Sequence, residues 1–164
     1  IVVTADHETG GLALGNSDYT LNLKVLSGQK CSSDILSDQL SAIQKSKGKA
    51  LKWEDVKSII SENTGLYTNV ELSTEEDELL QNSFARMMRH QEQLKTLYKD
   101  INKLAADALG ILNQKSRLGW TTNGHTASAV PVFAIGVGAE NFTGWHDNSE
   151  IAPLIYQATQ SPRR

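Results

Sequence analysis

The sequence predicts an α/β chain in which a block of helices, residues 28–117, is inserted between two strand-bearing flanks, 1–27 and 118–164. Three observations predict it. Apolar runs of strand type, residues 1–4 and 130–137, stand near both ends. Between the flanks lie 13 of the 16 Lys and Arg and 13 of the 19 Asp and Glu, a balanced mixture that marks solvated helix faces rather than a binding patch. The order strand, helices, strand, helix is that of α/β proteins.

Ile1 to Thr4 reads as a strand, followed by a turn at Gly10-Gly11. Tyr19, Leu21, Leu23 and Val25 alternate with polar residues, which predicts a second strand with one buried face. Ser33 or Asp34 can cap a helix carrying Ile35, Leu36, Leu40 and Ile43. A second helix, around Trp53 to Ser61, buries Val56, Ile59 and Ile60 and stops near Gly65. Ser73 with Glu76 three residues on is a capping-box pattern, opening a third that carries Leu79, Leu80, Phe84 and Met87 or Met88. Leu94, Leu97, Ile101, Leu104 and Leu109 fall near one stripe of a fourth, ending by Gly119. Val130, Val132, Phe133, Ile135 and Val137 read as a strand covered on both faces, punctuated by Gly136 and Gly138. Asp147, Asn148 or Ser149 then caps a closing helix through Ile151, Leu154 and Ile155, with Pro153 near its first turn.

A chain of 164 residues is long enough to bury a core without disulfides. Its formal charge of −3 argues against nucleic acid as the main partner, since phosphate backbones need a basic face. Apolar runs stay far below the roughly 18 residues of a membrane span. The single Cys31 excludes an internal disulfide framework, and although a helix start can lower a thiol pKa, Cys31 reads as a passive residue. A strand beginning directly at Ile1, without Met or a leader, reads as a piece of a longer protein; the missing targeting segment therefore carries no information about compartment.

Thr4-Ala5-Asp6-His7-Glu8-Thr9-Gly10-Gly11 sets a carboxylate and an imidazole directly after an apolar strand. In open α/β sheets, sites gather beyond the carboxyl ends of strands. Carboxylate oxygen and imidazole nitrogen both suit Zn²⁺, although a turn Asp beside a solvated His is the commoner occurrence of such a pair. Gly119-Trp120-Thr121-Thr122-Asn123-Gly124-His125-Thr126 adds a second ligand-type histidine in a polar loop ahead of the second strand run. His90 sits among Arg86 and Arg89 and reads as solvated; His146 precedes the helix cap and reads as a loop-orienting residue.

The Thr-Ala-Asp-His-Glu-Thr-Gly-Gly run, the downstream Gly-His-Thr, and then Val-Pro-Val-Phe-Ala-Ile-Gly-Val-Gly-Ala-Glu-Asn-Phe-Thr-Gly-x-x-Asp-Asn together resemble the C-terminal part of an alkaline phosphatase. The resemblance covers about residues 1–15 and 117–158. It implies part of a three-layer α/β sandwich, with the helical block where this family places insertions. By this resemblance Asp6 and His7 match the ligands of one catalytic zinc and His125 a ligand of the other, with Glu8 and Thr9 in supporting positions. Two Zn²⁺ and a Mg²⁺, a phosphate monoester substrate and inorganic phosphate as product are implied as well. So is a periplasmic or secreted location, while a sheet edge left open where upstream strands belong predicts a tendency to self-associate, as in a homodimer, or to rearrange.

Two catalytic zinc sites need about six protein ligands, and three are identifiable. Ser17, Ser128 and Ser149 have no context matching the family's nucleophile, and Arg163 and Arg164 do not match its phosphate-binding arginine. The expected outcome is negligible hydrolysis by this chain alone. Two other readings stand beside it. One is part of a related metallohydrolase acting on diesters, sulfates or phosphosugars; the other is a non-catalytic interaction module formed by the helical block.

Overall fold

The computed structural model describes residues 1–15, 19–89, 93–95, 100–122 and 124–160, with 93–95 and 100 as backbone only. His90, Leu97, Ser17, Arg163 and Arg164 lie outside the described residues. Helices dominate, the sheets are small and two-stranded, and the α/β class stands. The chain forms two compact units, residues 12–124 and residues 1–11 with 125–164.

In the larger unit, β2 (Leu12–Leu14) pairs antiparallel with β5 (Leu118–Trp120). The expected strand over Tyr19 to Val25 does not form: Leu23–Gly28 is a 3-10 helix instead. Val25 and Leu26 pack against the helical core from it, so tertiary burial overrides the two-residue alternation. The segment after it is laid against the next helices by the Lys30 amide donating to the Asn63 carbonyl at 2.9 Å.

Helix α1 (Ser33–Lys47) is capped by Ser32, one residue before Ser33 and two before Asp34, because Ser32 accepts from the Ile35 amide. Cys31 therefore precedes the cap, and burial pushes its thiol pKa up. Helix α2 (Trp53–Thr64) ends where Gly65 adopts a left-handed conformation, φ 77°, as a C-cap glycine does. Helix α3 (Thr74–Met88) opens with the expected box: Ser73 accepts from the Glu76 amide and Glu76 from the Ser73 amide.

The expected long helix through Leu94 and Ile101 is replaced by a hairpin and a shorter helix. Strands β3 (Gln93–Lys95) and β4 (Asp100–Asn102) pair antiparallel, with Leu94 opposite Ile101, and α4 runs Lys103–Lys115. Asn102 decides the boundary. Its side-chain oxygen accepts from the Leu104 amide at 3.0 Å while its own amide donates to the Ser37 hydroxyl at 2.8 Å, so a buried polar residue is satisfied by starting the helix there.

The core of this unit joins Leu36 and Leu40 of α1, Val56 and Ile60 of α2, Leu80 of α3 and Leu104, Ile111 and Leu112 of α4. Gly28 is required by close approach: a Cβ there would stand 2.8 Å from the Thr64 carbonyl oxygen and 3.0 Å from Gly65 Cα. Backbone cannot swing aside as a side chain can. Gly28→Ala is expected to cost about 1–3 kcal/mol, the range for overpacked sites, read as a lowered urea midpoint; an unchanged midpoint would show that the α2 terminus yields freely.

In the smaller unit, β1 (Val2–Val3) pairs antiparallel with β6 (Phe133–Ala134). Ile1 and Ile135 extend the ladder by exchanging two hydrogen bonds of 2.8 and 2.9 Å. The strand expected over 130–137 is thus two residues long, and it is not covered on both faces: Val3, Phe133 and Ile135 are 58%, 65% and 70% exposed. A 3-10 helix, Ala139–Phe142, leads to α5 (Asn148–Gln160). Asp147 is the cap, accepting from the Ser149 amide at 3.0 Å while its own amide donates to Glu150 at 2.7 Å. Pro153 sits in the second turn of α5, one turn deeper than expected. Phe142 is the one buried apolar side chain of this unit among the described residues. Its order rests on turns and hydrogen bonds more than on a core.

Candidate metal centre

Strand β1 ends into Thr4-Ala5-Asp6-His7, and Thr4 fixes the exit by donating to the Pro131 carbonyl at 3.1 Å. Asp6 is then oriented by its neighbour. The His7 amide donates to Asp6 Oδ1 at 3.1 Å, and Asp6 Oδ2 lies 3.3 Å from His7 Nε2. His7 Nδ1 lies 2.9 Å from the Glu8 carbonyl oxygen. A carbonyl only accepts, so this contact places a ring proton on Nδ1 and leaves Nε2 facing the Asp6 carboxylate.

The second loop arrives at Thr126, which forms an isolated antiparallel bridge with Glu8. His7 and His125 occupy diagonal positions across that bridge, within reach for aromatic side chains. Their rings stack with centroids 3.5 Å apart and planes 26° from parallel. Of the three residues singled out as ligands, Asp6 pairs with His7 and His125 stacks on the His7 ring, Asp6 and His125 being exposed and His7 half-buried. Glu8 is half-buried between the loops, and Thr9 is exposed on the turn.

Donor chemistry and spacing fit a zinc ion. Two donors on one tetrahedral ion stand roughly 3.3–3.4 Å apart when bonds are about 2.0–2.1 Å, which is the Asp6 Oδ2 to His7 Nε2 distance. The set is partial: among the described residues no three His, Cys, Asp or Glu side chains gather into one metal-holding group. Asp6 and His7 open onto a cavity of about 350 Å³ that also touches Ser128, Trp145 and His146. His146 orients its own loop, as its position suggested, by a 3.1 Å contact between Nε2 and the Thr143 carbonyl. Trp145 is 88% exposed at the cavity rim. Ser149 is committed elsewhere, its hydroxyl donating to Asp147 at 2.6 Å.

Glu8 is the residue whose role the sequence left least defined. Its Oε2 accepts from the Gly10 amide at 2.8 Å, the Gly11 amide at 2.7 Å and the Thr126 hydroxyl. Chiefly the Thr126 hydroxyl, then the Gly10 amide, lower its pKa from 4.5 to about 2. A carboxyl whose folded pKa is depressed stabilises the fold fully above its unfolded value and loses that contribution as pH falls through the folded one. Acid is thus expected to release this loop between pH 4.5 and about 2. Carbon-detected NMR of the Glu8 carboxyl should titrate near 2; a midpoint at 4.5 would show it without these donors.

A carboxylate and an imidazole just past a strand, with a second imidazole against them, are donor types that metal-dependent hydrolases use. The chain belongs to the alkaline phosphatase family, whose model matches residues 1–161. It is 29% identical over 161 residues to alkaline phosphatase 3 of Bacillus subtilis and 27% identical over 159 residues to alkaline phosphatase 4 of the same organism. These matches span 98% and 96% of this chain but 30% and 29% of those proteins. Among solved structures it resembles a cold-active alkaline phosphatase from the psychrophile Shewanella sp., with a TM-score of 0.65 and 28% identity over 99% of this chain and 34% of that one. The chain thus spans about a third of the length of the relatives it matches.

Proposed function

We propose that this chain supplies Asp6, His7 and His125 as zinc ligands to a phosphate monoester hydrolase whose remaining site residues come from sequence outside it. The observation that carries the reading is the Asp6–His7 donor pair with the His125 ring laid against it, on two loops 118 residues apart that meet at the Glu8–Thr126 bridge. Asp6 and His7 would hold one zinc and His125 would serve the other. Zinc in such sites polarises phosphoryl oxygens and brings bound water toward a pKa of ~7.

The chain's own residues do the preparatory work. The Glu8 carbonyl fixes the His7 tautomer, and the His7 amide turns the Asp6 carboxylate toward Nε2. Such orienting contacts raise ligand basicity and hold ring direction. The adjacent cavity would admit a phosphate monoester and release inorganic phosphate. Mg²⁺, the nucleophile and the phosphate-binding cation would be met by residues elsewhere in the complete protein, exported as the family resemblance suggests. On this reading the isolated chain turns over phosphate monoesters negligibly.

Calorimetric titration of this chain with Zn²⁺ is expected to show weak binding that His7→Ala abolishes. Equal binding by wild type and His7→Ala would place the zinc elsewhere. A complete protein that binds no zinc would remove the reading altogether.

A further inference from the structure

We propose that Glu8 and Thr126 form a clasp that sets the spacing between the two ligand loops, making them positioning residues for the His7–His125 pair rather than ligands themselves. The inference rests on the reading of Asp6, His7 and His125 as metal ligands. It begins from the fact that one oxygen, Glu8 Oε2, collects all three donors. Two belong to its own loop, the amides of Gly10 and Gly11, and the third is the Thr126 hydroxyl of the other loop. An oxygen with three donors has its acceptor capacity filled, so it is poorly placed to bind a cation as well.

Thr126 is equally committed. Its hydroxyl donates to Glu8 and accepts from the Ser128 amide at 3.4 Å, so the rotor is held from both sides. The backbone bridge joins the same two residues. Each is directly preceded by a ligand histidine, so a fixed Glu8–Thr126 distance fixes where His7 meets His125. This unit has almost no apolar core to do that work, Phe142 being its one buried apolar side chain among the described residues. The polar clasp therefore replaces the packing that would normally hold two loops in register.

The test uses the full chain with Thr126→Val, which keeps shape and removes the hydroxyl, Thr126→Ser, which keeps the hydroxyl, and Glu8→Ala. Histidine side-chain NMR without metal reads the His7–His125 ring contact directly. The contact should be present in wild type and Thr126→Ser and lost in Thr126→Val and Glu8→Ala. Persistence in both disruptive variants, or absence from wild type, overturns the clasp. Should Glu8→Ala unfold the loop, Thr126→Val against Thr126→Ser still decides. A parallel Co²⁺ titration, followed by its visible absorption, is expected to show about 10–100-fold weaker binding in Thr126→Val, the range for residues that orient ligands, and rescue in Thr126→Ser. Wild type that takes up no Co²⁺ would count against the ligand assignment, while the ring contact judges the clasp separately.

Discussion

In the complete protein, His7→Ala is expected to lower phosphate monoester turnover by at least about 100-fold. Residues that merely orient metal ligands are worth about 10–100-fold in affinity or activity, and His7 is read as a ligand itself. Asp6 would be left as the one donor of its pair, since Nε2 stands 3.3 Å from its carboxylate and nothing else described replaces it. His125 would also lose the ring on which it stacks. The substitution removes little buried area because His7 is only half-buried, so the fold should survive. Steady-state hydrolysis of an aryl phosphate, with metal content measured in the same preparation, checks this. Turnover within threefold of wild type at normal zinc content would sink the assignment.

Leu104→Ala is expected to destabilise the helical unit by about 2–5 kcal/mol, the range for buried leucine truncations that leave a cavity. Leu104 is wholly buried in the first turn of α4, within the cluster shared by α1, α2 and α3. Its amide is held by Asn102, so the backbone has little freedom to close the void. Total domain stability is typically about 5–15 kcal/mol, and the loss would be a large share of it. Urea unfolding followed by fluorescence of Trp53, which packs against Tyr67 and Phe84 in the same unit, would report it. With a slope of about 1–3 kcal/mol/M, the midpoint should fall by roughly 1–2 M or more. A shift under 0.3 M, well below what about 2 kcal/mol implies, would mean that the neighbours collapse into the space.

Two features separate what could be read from the chain from what could not. Ser73 with Glu76, and Gly65 after α2, set helix ends through contacts within four residues, and the sequence states such contacts outright. Leu94 and Ile101 suit one helical stripe equally well and a hairpin register, and the choice falls to Asn102, whose amide needs Ser37 of another helix. Tyr19 to Val25 alternates like a strand, yet the chain coils from Leu23 to Gly28 and brings Val25 and Leu26 onto the core. Each misreading has the same origin: a local pattern outvoted by a partner far along the chain.

The candidate site divides in the same way. Asp6, His7 and His125 were legible because their residue types and strand contexts carry chemistry on their own, and the family resemblance was legible because those contexts recur in order. Thr126 entered only as the end of the Gly-His-Thr motif, and its role is invisible until Glu8, 118 residues away, is beside it. By itself, then, the sequence determined the α/β class, the α3 capping box, the Gly65 stop and the ligand-type residues. Only the tertiary structure decided that two loops meet, that their imidazoles stack, and that Glu8 holds them, because hydrogen bonds across a hundred residues depend on the whole path of the backbone and not on the residues that make them.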